Sequence, residues 1–169
     1  MFKQENCFLL QRFSSVIEGL TDSQYVLADQ PLFQSSIGAH ARHVLDHYQA
    51  FLDGLQSESG HIDYDARARE SAIETDRNIA IDKFTTMIGH IEKIDDYQQV
   101  LSVSMDVGHL HASEIIPQSS TVGRELTFLH SHTIHHEALV SFILRVLNVP
   151  TTIDDIGFAP STIKHKENL

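Results

Sequence analysis

The chain has 169 residues, with 12 Lys and Arg against 23 Asp and Glu for a formal charge of −11, one Cys, no Trp and 41% hydrophobic residues. That length and balance describe a globular chain able to bury a continuous core, and they exclude collagen-like, disordered and disulfide-scaffold classes. The acidic surplus without any Lys/Arg-rich run makes nucleic acid and membrane surfaces unfavourable partners. With no apolar window of ~18 residues and no signal-peptide layout at Met1 to Asn6, a cytoplasmic location is expected.

In chain order, Phe2, Leu9, Phe13, Val16 and Leu20 recur at three-, four- and seven-residue steps and draw one apolar stripe along a first helix. A second helix follows Pro31, with Ser35 or Ser36 as its N-cap and a stripe of Ile37, Ala41, Val44, Tyr48, Phe51 and Leu55. A third begins near Thr75 or Asp76, buries Ala80, Phe84, Ile88 and Ile91, and stops near Ile94. The fourth and longest runs from about Val122 to Leu147, and Pro150 forbids its continuation. Residues 56–74 are too long for a simple bundle turn, so they either cross the whole bundle, letting the second and third helices run parallel, or cover a site as a lid. Residues 95–121 hold the partly alternating run Val100 to Asp106 followed by Gly108, which predicts a small β-hairpin. From about residue 150 the tail is expected to lie extended over the bundle. The expected class is therefore all-α, one four-helix-bundle domain over residues 1–169 with a hairpin between the third and fourth helices.

Histidine is the abnormal component, because its twelve copies bunch: His40, His43 and His47; His130, His132, His135 and His136; His109 and His111 between; and His61, His90 and His165 singly. Clustered imidazoles raise metal and acid–base chemistry together. On the fourth helix His136 falls inside the apolar stripe and His132 at its edge, and their i, i+4 spacing brings two imidazoles to one metal. His130 falls on the opposite, polar side with Glu137, Ser141 and Arg145, and His135 lies on a boundary. Glu125 shares the edge of His132, as a supporting carboxylate or a distant fourth contact. Two ligands from one helix leave most of a coordination shell empty, so the second helix must supply another. There the helical wheel places His40 and His47 nearer the stripe than His43 and does not decide among them.

The run Ser36 to Asp46, containing His40-Ala41-Arg42-His43-Val44-Leu45-Asp46, and the run Leu129 to His136, containing His132-Thr133-Ile134-His135-His136, resemble the DinB-like superfamily. That group includes bacillithiol transferases, mycothiol-dependent maleylpyruvate isomerases and the metal-binding domain of ergothioneine-type sulfoxide synthases. The resemblance covers residues 2–148 and implies an up-down-down-up bundle in which residues 56–74 are the crossover. It also implies a divalent metal held by His43, His132 and His136, zinc or nickel before iron or manganese. The implied substrate is a small molecule, a low-molecular-weight thiol with an electrophile, and a homodimer is common. Many members follow the last ligand with Arg-Gly-Gln, where this chain has Glu137-Ala138-Leu139.

With His43 as the ligand, His47 joins Tyr64, Arg69 and Arg77 as the residues expected to contact substrate, the arginines holding a carboxylate and the tyrosine offering a hydroxyl. The plainer reading of that charged stretch is a solvated crossover with internal ion pairs. Cys7 reads as a small buried apolar residue, and His109 and His111 as surface residues. Phe128, Leu139, Phe142 and Val146 recur on one flank of the fourth helix and suggest a dimer surface, unless the first helix or the tail through Phe158 covers them. Two functions remain open: a metal-dependent thiol transferase or hydrolase, and a non-catalytic, stress-associated metal-binding protein whose ion ties two helices together.

Overall fold

Side-chain caps fix where several of the helices begin. In the computed structural model, which describes residues 1–29, 31–66, 69–106, 115–151, 153 and 155–167, helix α1 spans Phe2–Glu18 and short α2 spans Asp22–Val26. Helix α3 spans Ile37–Gln56, and the Ser36 hydroxyl accepts from the Ala39 amide at 3.0 Å. Strand β1, His61–Asp63, and short α4, Ser71–Thr75, precede α5, Arg77–Ile91. The Asp76 carboxylate caps α5 by accepting from the amides of Asn78 and Ile79. Strands β2, Val100–Ser104, and β3, Gln118–Thr121, lead into α6, Val122–Val146, whose first turn donates to the Thr121 hydroxyl. Helix α7 is Pro160–Glu167.

The four long helices pack pairwise, α1 and α3 each against α5 and α6. Lys3 reaches Asp95 beyond the end of α5 while Phe13 stacks on Phe84 at 5.3 Å, so α1 and α5 run in opposite senses. Asn6 donates to the Leu126 carbonyl and Arg12 reaches Glu137, so α1 and α6 run in the same sense. His47 lies beside Phe128 and His40 beside His136, so α3 and α6 are antiparallel. It follows that α3 and α5 point the same way, and residues 57–76 must carry the chain back along them.

Three expectations are corrected. The chain is mostly helical but not all-α: a three-stranded mixed sheet of order β1-β2-β3 joins the segment 56–74 to the segment 95–121. The predicted hairpin region does supply the antiparallel pair β2–β3, with Val100 opposite Thr121 and Val103 opposite Gln118, but β1 pairs parallel to β2 on its other side. Three residues are too few to show an alternating pattern, and their partner is distant in sequence, so nothing local announces β1. Its Ile62 is fully buried, and it passes so close to α3 that a Cβ at Gly54 would lie 2.5 Å from the Ile62 side chain. The tail, expected to be extended, instead forms α7, with Pro160 in the first helical position where its missing amide hydrogen is harmless.

The third correction concerns α6. Glu137 and Ser141, assigned above to a polar face, are buried, because α1 and the tail cover that side. Arg12 meets Glu137 with two donors, Nε to Oε1 at 2.9 Å and Nη2 to Oε2. Gly157, at φ +79, closes over the same helix, where a Cβ would meet the Ala138 backbone at 2.4 Å. On the remaining flank Phe142 and Leu139 are exposed, whereas Phe128 and Val146 pack against the core. Gly108, His109 and His111 lie outside the described residues. Among the described residues no helix is long and apolar enough to cross a membrane.

Candidate metal centre

Helix α3 carries His40, His43 and His47 at steps of three and four, so all three project toward one neighbour, and that neighbour is α6 with His132 and His136 one turn apart. The imidazoles of His43, His47 and His132 each bring a ring nitrogen within 4.8 Å of the others. Their ring centroids are 4.4 Å apart for His43–His47, 4.2 Å for His47–His132 and 5.0 Å for His43–His132. Three imidazole nitrogens converging from two helices are a donor set that zinc, nickel, copper or iron accepts. Near His47, Nδ1 lies 2.9 Å from the His43 carbonyl. A carbonyl can only accept, so Nδ1 carries the hydrogen and the ring's lone pair is on Nε2.

His136 stands beside this trio, its centroid 4.6 Å from those of both His43 and His132. Its Nδ1 is 3.0 Å from Nδ1 of His40, one ring donating and the other accepting. Burial, reinforced by the nearby His132, His43, His40 and His135, pushes the pKa of His136 down from 6.5 to about 2. Burial, then His135, lowers His40 too. These rings are neutral at physiological pH, the form that ligates.

A second layer supports the histidines. Tyr64 follows β1, its amide donates to the Ser104 carbonyl at 3.2 Å, and the sheet thereby lays its ring on that of His47, centroids 5.5 Å apart and planes 21° apart. The Tyr64 hydroxyl donates to Glu125 Oε2 at 2.7 Å, and Glu125, fully buried, also accepts from Ser120 and Arg124. Burial, then Glu125 itself, raises the Tyr64 pKa, so the phenol stays protonated and keeps donating. Phe128 stacks on His132 at 5.6 Å and touches Tyr64 at 5.1 Å. Glu125 is thus joined to the histidines through Tyr64.

Of the residues singled out in the sequence, His43 and His132 stand in the trio together with His47, which had been grouped with the substrate contacts. Tyr64 lies against the centre. Arg69 is an exposed residue at φ +51, and Arg77 is held by Asp22 at 2.6 Å and the Glu18 carbonyl at 3.4 Å. Cys7 points at the Ile88 carbonyl, and burial raises its thiol pKa. Sequence reasoning gave Phe128 only a flank role. The signal was present, since Phe128, His132 and His136 share one i, i+4, i+8 stripe.

No family model matches the sequence, and no solved structure matches it. A curated relative, FK506-binding protein 5 of Rhizopus delemar, is 33% identical over 108 residues, which make up 62% of this chain and 27% of that protein. The chain thus spans about a quarter of the length of the curated relative it matches.

Proposed function

We propose that the chain binds one divalent metal ion through His43, His47 and His132 and acts as a DinB-like enzyme on a small molecule, by thiol transfer or hydrolysis. The observation that carries the reading is the convergence of three imidazoles from two helices within 4.8 Å. The helix directions support the finer architecture as well: α1 and α6 share one sense and α3 and α5 the other, which is the up-down-down-up order with residues 57–76 as the crossover.

A divalent cation in such a shell supplies Lewis acidity and lowers the pKa of the water or thiol that shares it. The protein's own part is orientation. The His43 carbonyl fixes the tautomer of His47, Tyr64 and Phe128 clamp the faces of His47 and His132, and Glu125 anchors Tyr64. Three protein ligands leave a position for substrate. One observation favours a second, non-catalytic reading: the ring centroid of His136 stands 4.6 Å from those of both His43 and His132, which puts a fourth imidazole beside the trio, the ligand count of a structural site.

Metal analysis of the purified protein and of single alanine variants, with a thiol-plus-electrophile and ester activity screen, tests both. About one ion per chain, lost in His132→Ala and His47→Ala, is expected. Loss in His136→Ala with retention in His47→Ala would move the third ligand to His136. Unchanged metal in His132→Ala would remove the centre, and bound metal with no turnover of any substrate class would select the structural reading.

A further inference from the structure

A cavity of about 830 Å³ opens between the β2–β3 sheet and the first turns of α6, within the size range of small-molecule sites. Its walls gather apolar side chains that a free surface would hide: Val100, Met105, Ile115 and Ile116 are all exposed, and all four line this one cleft. Tyr64 and Phe128, the two rings that stack on His47 and His132, line it as well. The cleft and the imidazole cluster therefore share these two aromatic rings.

The cleft has a charged end. Arg124 lines it with its side chain 63% exposed, one guanidinium nitrogen on Glu125 and the guanidinium carbon 5.6 Å from the Phe128 ring centre. Glu125 is fully buried, and Tyr64, Ser120 and Arg124 all donate to it. What the cleft presents to a ligand is thus an apolar trough with a cation at its edge, on a chain that carries a net charge of −11. A flat apolar body fits the trough, and an anionic group meets the outward edge of the guanidinium with a charge-assisted hydrogen bond.

We propose that this cleft binds an aromatic or similarly flat apolar small molecule bearing one anionic group, its apolar part between the sheet and Phe128 and its anion on Arg124. Taking that ligand as the substrate class of the metal centre rests on the reading of the preceding section; the binding itself does not.

The test uses two fluorescent probes on the full chain: 1-anilinonaphthalene-8-sulfonate, an aromatic anion, and N-phenyl-1-naphthylamine, which has the same rings without the sulfonate. Each is expected to bind at one site per chain. Ile116→Asp, at an exposed position where folding is not at stake, should weaken both at least ~10-fold by placing a charge against the apolar wall. Arg124→Gln should weaken the sulfonate ~10-fold and leave the neutral probe within about twofold, and Arg124→Lys should restore most of the loss. Circular dichroism and metal content report the fold and the centre in each variant. Equal weakening of both probes by Arg124→Gln, or no change in Ile116→Asp, overturns the proposal. So does a probe that splits a dimer in light scattering, because the cleft would then be a surface between copies. Probe binding with these preferences in a protein that holds no metal would keep the cleft and discard the metal reading. Bound metal with probes indifferent to every variant would do the reverse.

Discussion

The seam between α1 and α5 and the seam between α3 and α6 are made of different materials. The first is closed by Phe13 stacked on Phe84 at 5.3 Å, with Ile17, Met87 and Ile91 buried around them. Such a seam gains roughly 25 cal/mol for each Å² of apolar surface removed from water. The second holds five histidines, His40, His43, His47, His132 and His136, in contact with one another where a bundle would ordinarily place aliphatic residues. Each imidazole withdrawn from water needs a partner for its polar nitrogens, so this seam contributes less to stability per residue. The aromatic stack thus lies on one side of the molecule and the imidazole cluster on the other.

The largest effect that bears on this contrast is predicted for Phe13→Ala, which should lose about 3–5 kcal/mol in denaturant unfolding and leave metal stoichiometry unchanged. A variant that also lost its metal would show that the two seams are not separable. Next, Arg12→Met strands the buried Glu137 carboxylate and should cost about 3 kcal/mol, most of which the double variant Arg12→Met/Glu137→Leu should recover; a double variant no better than the single would place the loss in packing rather than in charge.

Metal should then compensate the imidazole seam. At a hundredfold excess over its Kd an ion adds about 2.7 kcal/mol, read as a rise in Tm that His132→Ala abolishes. The metal-free protein should show the complementary pH response. Below about 6.5 the unfolded chain takes up protons that His136 and His40, both lowered in the fold, refuse, so stability falls as pH drops from that point. A metal-free melting temperature that rose between pH 6.5 and 5 would contradict the burial of these rings. The smallest change is expected for Tyr64→Phe. It removes one hydrogen bond to Glu125 and should cost about 1–2 kcal/mol with metal retained, and loss of metal there would promote Tyr64 from support to ligand control.

The long helices are legible in the sequence because each carries its own apolar stripe, and three of the four begin at a side-chain cap, Ser36, Asp76 and Thr121. The hairpin β2–β3 is legible from its alternating run, but β1 is not, since it depends on pairing His61 with Ser102 and Ile62 with Val103 across a long stretch of chain. The same non-locality hides the burial of Glu137, whose partner Arg12 lies on the first helix. Within the site, spacing identifies α3 and α6 as the two contributing helices and leaves open which histidines of α3 take part. The wheel inclined to His40 or His47 and the family resemblance to His43, and the trio contains both His43 and His47 because an i, i+4 pair on α3 faces the same seam. Tyr64 and Phe128 gain their roles only once the sheet lays one aromatic ring on His47 and α6 lays the other on His132.

The division of the centre between α3 and α6 also sets an order of events during synthesis. His43 and His47 leave the ribosome well before His132, and nothing in the intervening chain among the described residues completes the trio. The α1–α3 part of the molecule is therefore made without the trio, which is complete only after α6 has emerged and docked. Because that docking closes a loop containing most of the chain, it is a late and comparatively slow step in folding. Under the proposed metal binding, uptake of the ion by a refolding chain would follow the docking of α6 rather than the formation of helix.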